Sequence, residues 1–317
     1  MITVFDDFNG QLKGTEGFGD NAVWEDSGWE LADIGTPTND EVSLNDASNT
    51  DVWAPSCIRI YSGDADDAGG NMQLDLITGE IGTLVGTCDF PHLVIPETDA
   101  GAAALDDTVW VFACRVGLRA DLTTTGSGDW DSKFFIGWAQ ANDAQVMTAA
   151  TGAITIASTG ALVGFHINET GCIDGISHRT AATVMAEGTN YTRLGAAGTV
   201  DGTVANGAVT AGDTMWFDLA LRMKITDQSD DTDNGETQFF WRQVPKVTGA
   251  PGDRDGDLPG EGIGQMTVHP TVLLNQTPNS AVGLVPTIEM INGPTAGRDG
   301  VAFVDWWAMG CSRYSRK

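Results

Sequence analysis

An all-β fold, an antiparallel sandwich or barrel, is predicted by three features of the sequence. Short runs of alternating apolar residues recur along the chain, Gly-Asp, Asn-Gly, Gly-Gly and Pro-Gly steps separate them, and no long stretch repeats apolar residues at helical spacing. The 40 glycines supply the positive φ angles that tight reversals need.

The opening Val4-Phe-Asp-Asp-Phe-Asn-Gly10 reads as a strand running into a turn. Cys57-Ile-Arg-Ile-Tyr61 and Met72-Gln-Leu-Asp-Leu-Ile77 follow, with apolar residues at alternate positions. Val109-Trp-Val-Phe-Ala-Cys-Arg-Val116, Lys133-Phe-Phe-Ile-Gly-Trp138 and Leu162-Val-Gly-Phe-His-Ile167 are strand-length and largely apolar. In Met215 to Ile225 the pattern is plainest: Phe217, Leu219, Leu221, Met223 and Ile225 alternate with Asp218, Arg222 and Lys224, so one face is buried. Thr237 to Val244 and Pro286 to Ile291 are further strands. The closing Val301-Ala-Phe-Val-Asp-Trp-Trp-Ala-Met-Gly310 puts Val301, Phe303, Trp307 and Met309 inward, with strict alternation interrupted at Asp305-Trp306. So apolar a last strand belongs inside a sheet, and pairing it with an early strand makes residues 1–317 one domain. No proline-, serine- or charge-rich linker divides them, and loop insertions are expected near 181–213 and 227–262.

The chain carries 16 Lys plus Arg against 44 Asp plus Glu, a formal charge of -28. Phosphate neutralisation needs clustered cations, so a nucleic-acid partner is excluded. Asp outnumbers Glu because Asp accepts hydrogen bonds from nearby backbone in turns, and the charge as a whole reads as a solvated acidic coat. Five cysteines, Cys57, Cys88, Cys114, Cys172 and Cys311, form no Cys-x-x-Cys pair and are odd in number, so buried thiols are expected and not a complete disulfide framework. The N-terminus lacks the basic start and apolar run of a signal peptide, and no segment reaches the ~18 apolar residues needed to span a bilayer. Synthesis in a host cytoplasm without membrane insertion is expected. The spacing matches to a glycosylation sequon at Asn168, Asn190 and Asn275 are then coincidental.

Phe5-Asp-Asp-Phe8, Phe134-Phe-Ile-Gly-Trp138, Val163-Gly-Phe-His-Ile167, Gly212-Asp-Thr-Met-Trp-Phe-Asp-Leu219, Phe239-Phe-Trp241 and Ala302-Phe-Val-Asp-Trp-Trp307 together resemble the concanavalin A-like lectin and glucanase jelly roll. The likeness covers most of residues 105 to 310. It implies an antiparallel jelly-roll β-sandwich with long loops, a scaffold that serves glycan-binding modules, glycoside hydrolases and accessory proteins of tailed bacteriophages. In its Gly-, Ala-, Thr- and Asp-rich style the chain looks most like the phage group.

A glucanase of this fold carries a Glu-x-Asp-x-Glu or Glu-x-Asp-x-x-Glu strand, because alternation sets its carboxylates on one face as nucleophile and general acid. No such string occurs, and the nearest acidic groups, around Glu25 and at Glu289, lack the spacing. With no Gly-x-Ser-x-Gly and no phosphate loop either, the chain is expected not to be an enzyme. His166, Cys172, Asp174 and His178 could approach one another across a hairpin near Gly171, but their spacing fits no familiar zinc pattern. Asp227, Asp231 and Asp233 in one loop, and Asp253, Asp255 and Asp257 in another, alternate beside glycine in the manner of hard oxygen ligands for calcium, although solvated turns use the same residues. No cofactor is required, and calcium is the one ion the sequence suggests. Of ten tryptophans, Trp110, Trp138, Trp216, Trp241 and Trp307 sit in strand-like runs and belong to the core. Trp24, Trp29, Trp53 and Trp130 lie in turn-rich sequence and are the candidates for an interface or a glycan platform.

The function expected from these features is structural: a capsid decoration or cement protein of a bacteriophage virion, binding the major capsid protein or other virion proteins and assembling as a homo-oligomer that holds its glycine-rich loops. Arg313, Arg316 and Lys317 would anchor a basic end to an acidic neighbour. The alternative is a lectin-like carbohydrate-binding module of a phage tail or surface protein that recognises host glycans.

Overall fold

The computed structural model describes residues 2–6, 29–34, 42–44, 58–61, 69–74, 107–120, 132–140, 146–147, 161–168, 172–179, 187–194, 215–227, 233–243, 266–278, 284–292 and 300–312. Every named element among them is a strand: β1 (Ile2–Asp6), β2 (Trp29–Ile34), β3 (Val42–Leu44), β4 (Ile58–Tyr61), β5 (Gly69–Leu74), β6 (Thr108–Ala120), β7 (Ser132–Gln140), β8 (Leu162–Ile167), β9 (Ile173–His178), β10 (Tyr191–Arg193), β11 (Met215–Ile225), β12 (Gly235–Gln243), β13 (Thr267–Leu274), β14 (Leu284–Asn292) and β15 (Gly300–Ser312). They form two antiparallel sheets packed as a jelly-roll sandwich. The larger runs β13-β12-β11-β6-β15-β4-β3 with β1 also on β15, and the smaller runs β10-β9-β8-β7-β14-β5-β2.

The terminal strands meet as the apolar ends require. Ile2 lies opposite Cys311 and Asp6 opposite Trp307, while β15 pairs along its length with β6. The register slips between Val304 and Trp306, a β-bulge at the step where alternation fails in the sequence. Its effect is to change which residues face inward: Ala302 and Val304 before it, then Trp307, Met309 and Cys311 after it, join the core. Phe303 therefore faces away from the inter-sheet core, contrary to the simple alternating reading, and is buried beside Trp216 at 6.2 Å between ring centroids.

The core between the sheets takes alternate residues from both. Phe112 of the larger sheet lies 5.6 Å from Trp138 and 6.3 Å from Phe165 of the smaller one, and Phe239 meets Phe165 edge-on at 5.7 Å. Each such side chain contributes about 1.5–3 kcal/mol by leaving water. Gly175 makes room for this: a Cβ there would stand 2.5 Å from the Phe239 ring. Trp110, Trp138 and Trp307 are buried in the core and Trp241 packs partly buried against it, as their strand settings predict, whereas Trp216 is buried on the other face of the sheet beside Phe303. Cys114, Cys172 and Cys311 are buried thiols outside any disulfide. Cys114 is held protonated by its burial and by the nearby Asp218 carboxylate.

β10 and β13 are neighbouring edges of the two sheets. Thr192 Oγ1 and His269 Nδ1 approach to 3.5 Å across them, and Ser177 Oγ bonds Thr237 Oγ1 at 2.9 Å and donates to the Gln276 carbonyl at 2.8 Å. Pro270 and a bulge in the β12–β13 pairing interrupt the outermost ladder, where Val268 and Leu274 are exposed.

Candidate functional site

Alternation sends half of the smaller sheet's side chains away from the core, and on that outer face the register aligns an unusual row. Glu289 of β14 lies opposite Phe135 of β7, Phe135 opposite His166 of β8, His166 opposite Asp174 of β9, and Asp174 opposite Arg193 of β10. At about 4.8 Å per strand the row is about 19 Å long. A second row beside it, Thr287, Gly137, Gly164, Ile176 and Tyr191, is flat at its centre. A Cβ on Gly137 would meet the Val163 carbonyl oxygen at 2.3 Å, and one on Gly164 the Ile136 carbonyl oxygen at 2.4 Å. The two backbones thus form a floor that admits no side chain. Gly164→Ala is expected to destabilise the fold by about 2–3 kcal/mol, since backbone and not a flexible side chain must move; urea unfolding measures it.

Over this floor lies a short strap, Val146–Met147. Its side chains pack in a cluster with Phe135, Ala139, Leu162, Ile176 and Ile291, and Tyr191 rests partly buried against it. The backbone amides of Val146 and Met147 donate to the two oxygens of Glu289, each at 2.6 Å. Charge-assisted bonds of this kind contribute about 1.5–3 kcal/mol each. The Glu289 carboxylate is thereby occupied by two adjacent donors in a buried setting.

His166 contrasts with it. The ring is buried, yet neither Nδ1 nor Nε2 has a hydrogen-bond partner. Burial, and secondarily the Lys133 ammonium on the same face, lower its pKa from 6.5 to about 3. The folded protein therefore holds it neutral, with one donor and one acceptor nitrogen. Buried polar groups are nearly always paired, so a buried imidazole with both nitrogens unused marks the row. Among the residues whose side chains are described, the charged ones on β7, β14, β9 and β10 of this face are Lys133, Glu289, Asp174 and Arg193, and Arg193 Nε reaches Asp174 Oδ1 at 3.4 Å. Asp174 is fully buried and the Arg193 side chain is 35% exposed, so the row opens toward solvent at its β10 end.

A pH dependence follows. The unfolded imidazole takes up a proton below 6.5 and the folded one only near 3, so the stability from burying it neutral is complete above 6.5 and lost as pH falls. The loss is about 1.4 kcal/mol per pH unit, or about 2 kcal/mol by pH 5. Urea unfolding at pH 7 and pH 5 should show this slope in the native chain and about one proton less of it in His166→Gln.

The larger sheet carries a different polar cluster on its outer face. Asp218 accepts from Arg115 Nε at 2.7 Å and Nη2 at 3.2 Å, and from Arg242 Nε at 3.1 Å and also its Nη2. The register places the three side by side on β6, β11 and β12, so this is a cross-strand ion triad built into the sheet.

Among the site residues expected from sequence, Asp233 is exposed and Asp227 half-buried at the β11–β12 turn, where Asn234 accepts from Thr277. Asp231, Asp253, Asp255 and Asp257 lie outside the described residues, as do Trp24, Trp53 and Trp130. Trp29 begins β2, and its side chain is likewise outside them. Among the described residues no group of three or more His, Cys, Asp or Glu is placed to hold a metal. The β8–β9 hairpin does form, but its register sets His166 against Asp174 and His178 against Leu162. Four residues of strand, about 13 Å, therefore part the two histidines. Sequence reasoning singled out Glu289 and His166 separately; the strand order that makes them neighbours of Phe135 was not readable from spacing.

No protein-family model matches the chain, and no curated protein is similar to it in sequence. Solved structures similar to it include lectin I of Ulex europaeus in complex with the methyl glycoside of α-L-fucose, at 7% identity over 98% of both chains with a TM-score of 0.46. Basic winged bean lectin with Tn-antigen is similar at 9% identity over 98% of this chain and 99% of that one, TM-score 0.46. The PL-14 alginate lyase from Aplysia kurodai is similar at 9% identity over 85% of this chain and 87% of that one, TM-score 0.42. The assignment to an antiparallel jelly-roll sandwich rests on the chain's own sheets and their order. With lyases as well as lectins in this set, the expectation that the chain is not an enzyme is corrected. The missing Glu-x-Asp-x-Glu string excludes one glucanase arrangement, whereas a sandwich can assemble acid–base groups from several strands. The virion expectation gains no support from these structures.

Proposed function

We propose that the protein binds carbohydrate, in the manner of a lectin, through the outer face of its smaller sheet. The observation that carries this reading is the row Glu289, Phe135, His166, Asp174 and Arg193, in which an aromatic ring is flanked by a carboxylate and an unpartnered neutral imidazole. Sugars present an apolar ring face and a rim of hydroxyls that both donate and accept. Phe135 suits the former, Glu289 and Asp174 accept from the rim, and His166 can donate through one nitrogen and accept through the other. Five strands in line favour an extended chain over a single sugar.

A glycan array probed with the full chain tests the reading. Binding to a defined set of oligosaccharides, weakened at least tenfold by His166→Ala, is expected; binding untouched by that change would place recognition elsewhere.

A second reading, decoration of a virion shell, draws on the exposed Val268 and Leu274 of the β13 edge, a strand able to lie against another protein. Co-sedimentation with capsid shells, lost in Val268→Glu with Leu274→Glu, is its test.

A further inference from the structure

We propose that Glu289 is a subsite for the vicinal diol of a saccharide, and that the strap Val146–Met147 is its internal occupant, so that glycan binding displaces the strap. The inference rests on the carbohydrate reading and adds the chemistry and the control of its closed end. Two successive backbone amides donate to the two oxygens of one carboxylate, a side-by-side pair of donors on a pair of acceptors. Adjacent hydroxyls on a pyranose offer the same arrangement. The strap side chains meanwhile occupy the apolar cluster with Phe135 and Ile176, above the Gly137–Gly164 floor, where the ring face of that sugar would rest.

His166 supplies the independent sign of a ligand. It is buried on the same face, one strand beyond Phe135 from Glu289, and neither ring nitrogen is used by the protein. The strap answers the hydrogen-bonding capacity of Glu289 and leaves that of His166 unanswered. A sugar unit over Phe135 would address both, with its diol on Glu289 and a hydroxyl of the next unit on His166. Occupation by the strap is therefore a partial imitation of the ligand, which a complete one can outcompete.

The test uses the full chain and array glycans of two linkages: 1,4-linked glucans and mannans, whose internal units keep a free 2,3-diol, and 1,3-linked glucans, whose internal units have no free vicinal pair. Trimming the strap by Val146→Gly with Met147→Gly is expected to tighten 1,4-linked glycans tenfold or more and leave 1,3-linked ones unchanged. Adding Glu289→Gln should abolish the gain. Equal tightening for both linkages, or native binding that strap trimming leaves unaltered, would overturn the imitation while sparing carbohydrate binding; no glycan binding by native or trimmed protein would remove both. Should the double variant fail to fold, amide exchange on the native chain decides. A saturating 1,4-linked glycan should release the Val146 and Met147 amides to exchange while β7 and β8 stay protected, and continued protection of those two amides under saturation would refute the proposal.

Discussion

Asp218→Ala is expected to destabilise the protein by about 3–5 kcal/mol, the cost of removing one member from a buried ion cluster. Asp218 is 5% exposed at its side chain and takes hydrogen bonds from Arg115, 6% exposed, and Arg242, 13% exposed. Without the carboxylate, two guanidiniums on the strands either side of β11 lose the charge they share and repel across poorly solvated protein. The same reasoning makes a second, sharper forecast. Arg115→Met combined with Asp218→Ala should be less destabilised than Asp218→Ala alone, because the repulsion between the two guanidiniums is then removed. Urea midpoints of the three variants measure this, and a double variant no better than the single one would show that the cluster acts through packing and not through charge.

Glu289→Ala is expected to cost about 3–4 kcal/mol. It removes the acceptor of two buried amides, each of which loses about 1–3 kcal/mol of desolvation without return. Glu289→Gln should cost roughly half of that, since the amide oxygen still accepts from one of the two donors while its NH₂ opposes the other. The measurement is amide exchange at Val146 and Met147 together with the unfolding midpoint. Retained protection in Glu289→Ala would mean that the apolar cluster, and not the carboxylate, seats the strap.

The strands that could be read from sequence were those whose burial is one-sided or complete over many residues. β11 has an apolar residue at every second position from Phe217 to Ile225, and its observed limits, Met215–Ile225, are those of the run read from sequence. β15 was legible as a strand but not in facing, because the bulge after Val304 adds a residue that alternation cannot count. β9 and β13 were missed for another reason. Ile173-Asp-Gly-Ile-Ser-His178 is half polar, and its Asp174 is acceptable only beside Arg193 on the next strand, a partner that sequence order does not announce. Thr267-Val-His-Pro270 reads as a loop, since proline is excluded from inner strands and β13 tolerates it only by being an edge.

The candidate site was legible in its parts and not in its assembly. His166 and Asp174 stand in one sequence window and suggested each other as possible ligands; Glu289 stands far along the chain and was weighed as an isolated acid. What unites them is that β14 inserts between β5 and β7, a long-range order that no local pattern encodes. Spacing along one strand predicts neighbours along that strand only, so a site strung across five strands escapes motif reasoning.

The position of β15 has a consequence for how the chain acquires its shape. β15 is flanked by β6 and by β4, with β1 alongside, so the larger sheet has its keystone in the last of its strands to leave the ribosome. Until then β4 and β6 have unsatisfied ladders, and closure must gather segments as distant in sequence as Ile2 and Cys311. Such distant closure is slow, on the order of milliseconds to seconds even for small β domains, and leaves a nascent form prone to self-association. Productive maturation should therefore depend on chaperone capacity and on temperature during synthesis more than the finished molecule's resistance to denaturant would suggest.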